Sequence, residues 1–118
     1  MAAQAPDFRY VVGEGWWPLL DRLHERLSAV DADYRLSGVG EKWGGLRIRV
    51  VEQPGPDGRP DPAYRSAMRA VVSAIEDDSF RTCERCGRAG RPRRRAPDRG
   101  WVKTLCDDHQ AARGGTPH

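Results

Sequence analysis

Asparagine is absent from this 118-residue chain, and histidine and cysteine occur three times each. Treble-clef nucleases set His and Asn residues around a catalytic metal, and without asparagine that pattern is not met. The zinc-deaminase signature, His-x-Glu with Pro-Cys-x-x-Cys, is missing as well. No phosphate-cradling loop appears, since Gly13-Glu14-Gly15 has neither a preceding strand nor a third glycine. No apolar run approaches the roughly 20 residues needed to cross a bilayer. Met1 to Asp7 contain neither the basic nor the apolar part of a signal peptide, so the expectation is a soluble, cytoplasmic chain with no membrane partner. Hydrophobic residues make up only 38% of the chain, which leaves a small core and favours a stapling metal or cross-link. Four Trp, three Tyr and two Phe still argue for a folded domain rather than disorder.

The formal charge is segregated. Residues 1–80 carry −3 and residues 81–118 carry +6. Within the basic part, Arg91, Arg93, Arg94, Arg95 and Arg99 crowd into nine positions. Such a lobe attracts phosphate or an acidic surface, or else neutralises the rest of its own chain.

All three cysteines fall in that basic third. Cys83-Glu84-Arg85-Cys86 is followed, after 19 residues that begin with Gly87, by Cys106-Asp107-Asp108-His109. Two ligand pairs, each with two intervening residues, have the spacing of a four-coordinate Cys3His zinc site. Cys-x-x-Cys lets two sulfurs converge from a tight turn, and Gly87 gives that turn backbone freedom. Cys106 and His109 lie one helical turn apart and point to the same side. A disulfide framework would leave an odd thiol. A redox Cys-x-x-Cys would not account for the second pair. Four protein ligands close the site, so the metal is expected to be structural and its binding energy to be folding energy.

Between the pairs, Arg91 to Leu105 reads as a hairpin, with Ala96-Pro97-Asp98-Arg99-Gly100 as its turn and Trp101 to Leu105 as its second strand. A helix then runs from Cys106 to about Arg113. Knuckle, hairpin and helix is treble-clef order, with a zinc ribbon as the alternative.

Upstream, Trp16, Leu20, Leu23, Leu27 and Val30 form an apolar stripe, and Pro18 places the helix start near Trp17. Residues 34–40 and 46–52 read as a hairpin around Glu41-Lys42-Trp43-Gly44-Gly45. A Pro/Gly loop follows from Pro54 to Pro60. Asp61 is a good N-cap and Pro62 a good first helical residue, and Tyr64, Met68, Val71 and Ile75 give a second stripe. The expected fold class is α+β: a helix–β-hairpin–helix domain over 8–80, a zinc module over 81–113 and a frayed tail over 114–118. Leu20, Leu23, Leu27, Leu46, Ile48, Val50, Met68, Val71 and Ile75 are the expected core. The acidic trio Glu76-Asp77-Asp78 is expected to end the second helix and pair with Arg81 or Arg85.

Gly15-Trp16, the hairpin motif Glu41-Lys42-Trp43-Gly44-Gly45-Leu46-Arg47, Thr82-Cys83-x-x-Cys86-Gly87 and Gly100-Trp101-x-x-Thr104-Leu105-Cys106-x-x-His109 together resemble a family of small uncharacterised phage and bacterial proteins. The motifs span most of residues 15–109. The resemblance implies this organisation and a phage-like origin, but brings no activity with it. The Pro/Gly stretch at 54–60 is longer than in that family.

Catalysis is not expected, and neither is a small-molecule substrate. His109 belongs to the metal, His118 is terminal, and His24 has no Cys or Ser partner in view. The leading expectation is a nucleic-acid-associated module using Arg91, Arg93, Arg94, Arg95, Arg99 and Lys103 on phosphates. Trp101 either stacks on a base or packs over the zinc hairpin against the first domain, and packing is the expected outcome. Arg47 and Arg49 extend the basic surface or form an ordinary solvated strand face. The alternative is a protein-binding or inhibitor module acting on a host protein through exposed Trp43 and Trp17.

Overall fold

The computed structural model describes residues 11–94 and 101–114. The expected α+β order is observed. A 3-10 turn, Glu14–Trp16, leads into α1 (Trp17–Val30). The hairpin β1 (Leu36–Lys42) and β2 (Gly45–Val50) follows, then α2 (Pro62–Ser79). A second, shorter hairpin, β3 (Arg91–Arg93) and β4 (Lys103–Leu105), precedes α3 (Asp107–Gly114). Residues 8–10, the turn at 96–100 and residues 115–118 lie outside the described residues, and Gly114 closes α3.

Local chemistry accounts for the boundaries. Pro18 sits in the first turn of α1, where a missing N–H costs nothing. Asp61 caps α2 as its sequence suggests, accepting from the N–H groups of Ala63 and Tyr64 at 3.0 and 3.3 Å. The first hairpin is shifted from the expected 34–40 and 46–52. Lys42 pairs with Gly45, so the turn is the two residues Trp43 and Gly44, both at positive φ (57° and 86°). That is the primed turn that matches strand twist.

The core is formed by Trp16, Leu19, Leu23, Leu27, Tyr34, Leu46, Ile48, Met68, Val72 and Ile75. Six of the nine expected core residues are buried, while Leu20, Val50 and Val71 are only partly so. Val30 is exposed. Each buried stripe is therefore shifted slightly from the expected one: Leu19 replaces Leu20 and Val72 replaces Val71, while Leu23, Leu27, Met68 and Ile75 stay inward. α2 packs against both α1 and β2. Its side chains also close the open edge of β2: Ser79 Oγ accepts from Leu46 N and Glu76 Oε2 from Ile48 N, both at 2.8 Å. Glu76 thus has a structural partner, and Asp78 pairs with Arg81 at 2.9 Å, as expected, and with Arg22 at 3.1 Å. No helix among the described residues is long and apolar enough to cross a membrane.

Candidate metal centre

The four expected ligands converge. Cys83 and Cys86 come from the knuckle that follows α2, Cys106 from the residue before α3, and His109 from its first turn. Their ligand atoms all lie within 4.8 Å of one another. Cys86 Sγ to Cys106 Sγ is 3.8 Å, Cys83 Sγ to His109 Nδ1 is 3.5 Å and Cys106 Sγ to His109 Nδ1 is 3.2 Å. A tetrahedron with metal–sulfur bonds of about 2.3 Å and a metal–nitrogen bond of about 2.0 Å has edges of about 3.8 and 3.5 Å. The cluster has the size of a metal site, and His109 offers Nδ1. The order knuckle, hairpin, helix is that of a treble clef, with the second ligand pair at a helix start rather than on a second knuckle.

The knuckle is shaped by backbone hydrogen bonds. Gly87 N donates to Cys83 O at 2.9 Å and Cys83 N to Arg88 O at 2.7 Å, with Gly87 at φ 81°. Burial raises the Cys83 thiol, but N–H donors from Cys106, Arg85 and Cys86 outweigh it and bring the thiol down to about 6. Cys86 receives an N–H from Arg88, yet burial and the two neighbouring sulfurs raise it overall. Adjacent thiolates repel, and a dication among them removes that repulsion.

The 3-10 turn and the first hairpin interlock with the knuckle and β4. Gly15 N donates to Glu84 O at 2.9 Å and the Trp16 indole to Thr82 O at 2.8 Å. Thr104, fully buried, donates its hydroxyl to Gly44 O at 2.6 Å. Gly45 lies under the Phe80 ring, which a Cβ would approach to 2.2 Å.

The expected nucleic-acid residues divide. Arg91 and Arg94 are exposed. Arg93 is not: its side chain is 12% exposed, it pairs with Asp107, and it donates to Cys106 O at 3.3 Å. That ion pair holds the Asp107 carboxyl below its usual range and braces α3 against β3. Lys103 is also engaged, with Glu41 at 3.4 Å and the buried Glu84 at 3.2 Å. Arg93 and Lys103 are therefore each tied to carboxylates of their own chain. Arg95 and Arg99 lie outside the described residues.

The tryptophans also correct the sequence reading. Trp101 does not pack inward; it is 84% exposed. Trp43 is 68% exposed at the hairpin turn. Trp17 is half-buried, with its indole donating to Val12 O at 3.3 Å, so it is not an exposed anchor. Trp43, Trp101, Lys42 and Arg94 line one groove of about 730 Å³, together with Glu41, Val102 and Lys103. His24 has partners that the sequence did not reveal, Tyr34 OH at 2.7 Å and Ser28 Oγ at 3.4 Å.

No protein-family model matches the chain, and no curated protein or solved structure does either.

Proposed function

We propose that the chain is a non-enzymatic nucleic-acid-binding module whose C-terminal lobe is held together by zinc. The observation that carries this reading is a four-ligand cluster in the same C-terminal segment as exposed Arg91, Arg94 and Trp101. Three sulfurs and one imidazole nitrogen suit zinc, and four protein ligands leave no position for water or substrate. Arg91, Arg94 and Trp101 flank that lobe on its solvent side. His24, outside the cluster, bonds most closely to a tyrosine hydroxyl, which supports a structural role and a non-enzymatic reading. Three thiols committed to a metal fit a reducing, cytoplasmic setting. The likeness of the motifs to small phage and bacterial proteins fits such a module.

Metal analysis of the purified protein is expected to give one zinc per chain. Zinc-loaded protein is expected to bind labelled DNA or RNA at low salt and to lose affinity steeply as salt rises. A metal-free protein that stays folded, or undetectable binding to any nucleic acid, overturns the reading.

A second reading, binding of a host protein, rests on Trp43 alone. A bulky residue at positive φ costs about 1–3 kcal/mol, and its ring lies neither in the core nor in the turn's own hydrogen bonds. Capture of a partner that survives nuclease treatment and is lost in Trp43→Ala supports this reading over the first.

A further inference from the structure

The outer face of the first hairpin has an unusual composition. Gly38 pairs with Arg49, Gly40 with Arg47 and Lys42 with Gly45 across β1 and β2. Side chains alternate along a strand, and directly paired residues share a face. Leu46 and Ile48 face the core, so Gly38, Gly40, Lys42, Arg47 and Arg49 share the opposite face. That face holds three cations and no carboxylate. Arg47, Arg49 and Lys42 are exposed, and none of them has an ion-pair partner among the described residues. The nearest acid in sequence, Glu41, belongs to the other face and is held by Lys103. Around Gly38 and Gly40 the floor is bare backbone, since a Cβ at either would meet nothing within 4 Å, while the Phe80 ring covers Gly45 beside Lys42.

Lys42 belongs both to this face and to the groove between Trp43 and Trp101. The basic strand face therefore runs directly into a pair of exposed indoles. Trp43 holds its place at φ 57°, a backbone region bulky side chains avoid, although its ring contributes nothing to the core.

We propose that this surface is a binding track for single-stranded nucleic acid, with the sugar–phosphate chain along Arg49, Arg47 and Lys42 and unpaired bases stacking at Trp43 and Trp101. The proposal rests on the nucleic-acid reading above and moves its main contacts from the zinc lobe to the hairpin. Arg47 and Arg49 are two residues apart on one strand, about 6.7 Å, close to the phosphate repeat of an extended strand. Glycine on the floor lets a backbone approach closely. Exposed indole faces accept any unpaired base, whereas a duplex keeps its bases stacked on one another. An acidic protein surface would use the cations but has no need for two stacking planes at one end.

The test uses the full zinc-loaded chain with a labelled oligo-dT of about 15 nucleotides and a duplex of the same length. The single strand is expected to bind at least about tenfold tighter than the duplex and to quench tryptophan emission. Arg47→Ala with Arg49→Ala is expected to weaken binding at least about tenfold. The same pair should reduce the salt slope by about 1.4, which is about 0.7 for each phosphate left without its arginine. Trp43→Ala is expected to weaken binding by about 5- to 150-fold and to remove part of the quenching. Both arginines are exposed and make no ion pair among the described residues, so unchanged melting and zinc content certify the variant. If Arg91→Ala with Arg94→Ala abolishes binding while the hairpin pair does not, or if the duplex binds tighter, the track is wrong and the nucleic-acid reading stands. Undetectable binding to both probes overturns the two together.

Discussion

Gly15 lies so close to Cys83 that a Cβ on the glycine would sit 2.1 Å from the cysteine's carbonyl oxygen. The same Cβ would be 2.6 Å from the Gly87 N, and one on Gly13 would be 2.2 Å from Glu84 O. The turn that starts α1 is thus seated on the metal knuckle backbone to backbone. Two glycines that bear no resemblance to a phosphate loop have a mechanical reason to be glycine. Trp16 completes the joint, fully buried in the core while its indole reaches the carbonyl next to Cys83.

Gly15→Ala is expected to destabilise the chain by about 1–3 kcal/mol, the range for overpacking. The contacts are main chain on both sides, so relief requires the knuckle or the helix start to move. Because the knuckle carries two ligands, metal affinity is expected to fall as well. Denaturant melting and chelator competition measure the two effects. A variant with wild-type metal affinity and stability would show that the joint is loose.

Metal removal is expected to melt the C-terminal lobe and to spare the helical core. Structural zinc in small modules binds with an apparent free energy of about 10–16 kcal/mol, more than a two-stranded hairpin and an eight-residue helix can replace. In hydrogen exchange, Cys106→Ser or chelation should expose amides over 81–94 and 101–114. The joint residues Gly15 and Thr104 are expected to loosen with them. Leu23 and Val72 should keep their protection, since their packing lies within the α1–α2 core. Simultaneous loss at Leu23 would mean that the chain folds as one cooperative unit.

Leu19→Ala is expected to cost about 2–5 kcal/mol, the range for a filled core site, and Leu20→Ala less than half as much. Leu19 is 2% exposed and packed, whereas Leu20 only abuts the cluster. Urea melting of the pair tests the shifted stripe directly.

Several features were legible because they are local. Asp61-Pro62 marks a helix start through capping chemistry that needs nothing from the rest of the chain. The Cys3His spacing encodes its own geometry, and the four ligands converge as their positions imply. The phase of α1 was not legible, because adjacent Leu19 and Leu20 both satisfy a helical period and only the packing against α2 chooses between them. The roles of Arg93 and Lys103 were hidden for a related reason. Their charge is visible in the sequence, but their partners Asp107 and Glu41 lie 14 and 62 residues away. The turn misled in another way: two glycines at 44 and 45 suggest positive φ there, yet Trp43 takes one of the two positions. Trp101 follows no local rule; a small lobe is expected to recruit it as core, and Leu105, Thr104 and Cys83 are the residues buried there instead.

Tyr64 and Asp31 tie the start of α2 to the end of α1, with the phenol donating to Asp31 Oδ2 at 2.8 Å. Burial, then the hydrogen bond to Asp31 and its negative charge, raise the phenol from 10.0 to about 12. Ionisation would remove the donor and place two anions together. A folded-state value above the unfolded one stabilises the chain fully below pH 10, and that contribution is lost as pH rises from 10 to 12. Tyr64→Phe is expected to cost about 1 kcal/mol near neutral pH, the scale of one partly exposed hydrogen bond. The deficit should shrink between pH 10 and 12, because only the wild-type chain has this proton to lose. Lysine and cysteine ionisation in the same range is common to both chains and cancels in the difference. Melting both proteins across that range decides the matter, and a deficit that stays constant with pH would show that the phenol acts through packing alone.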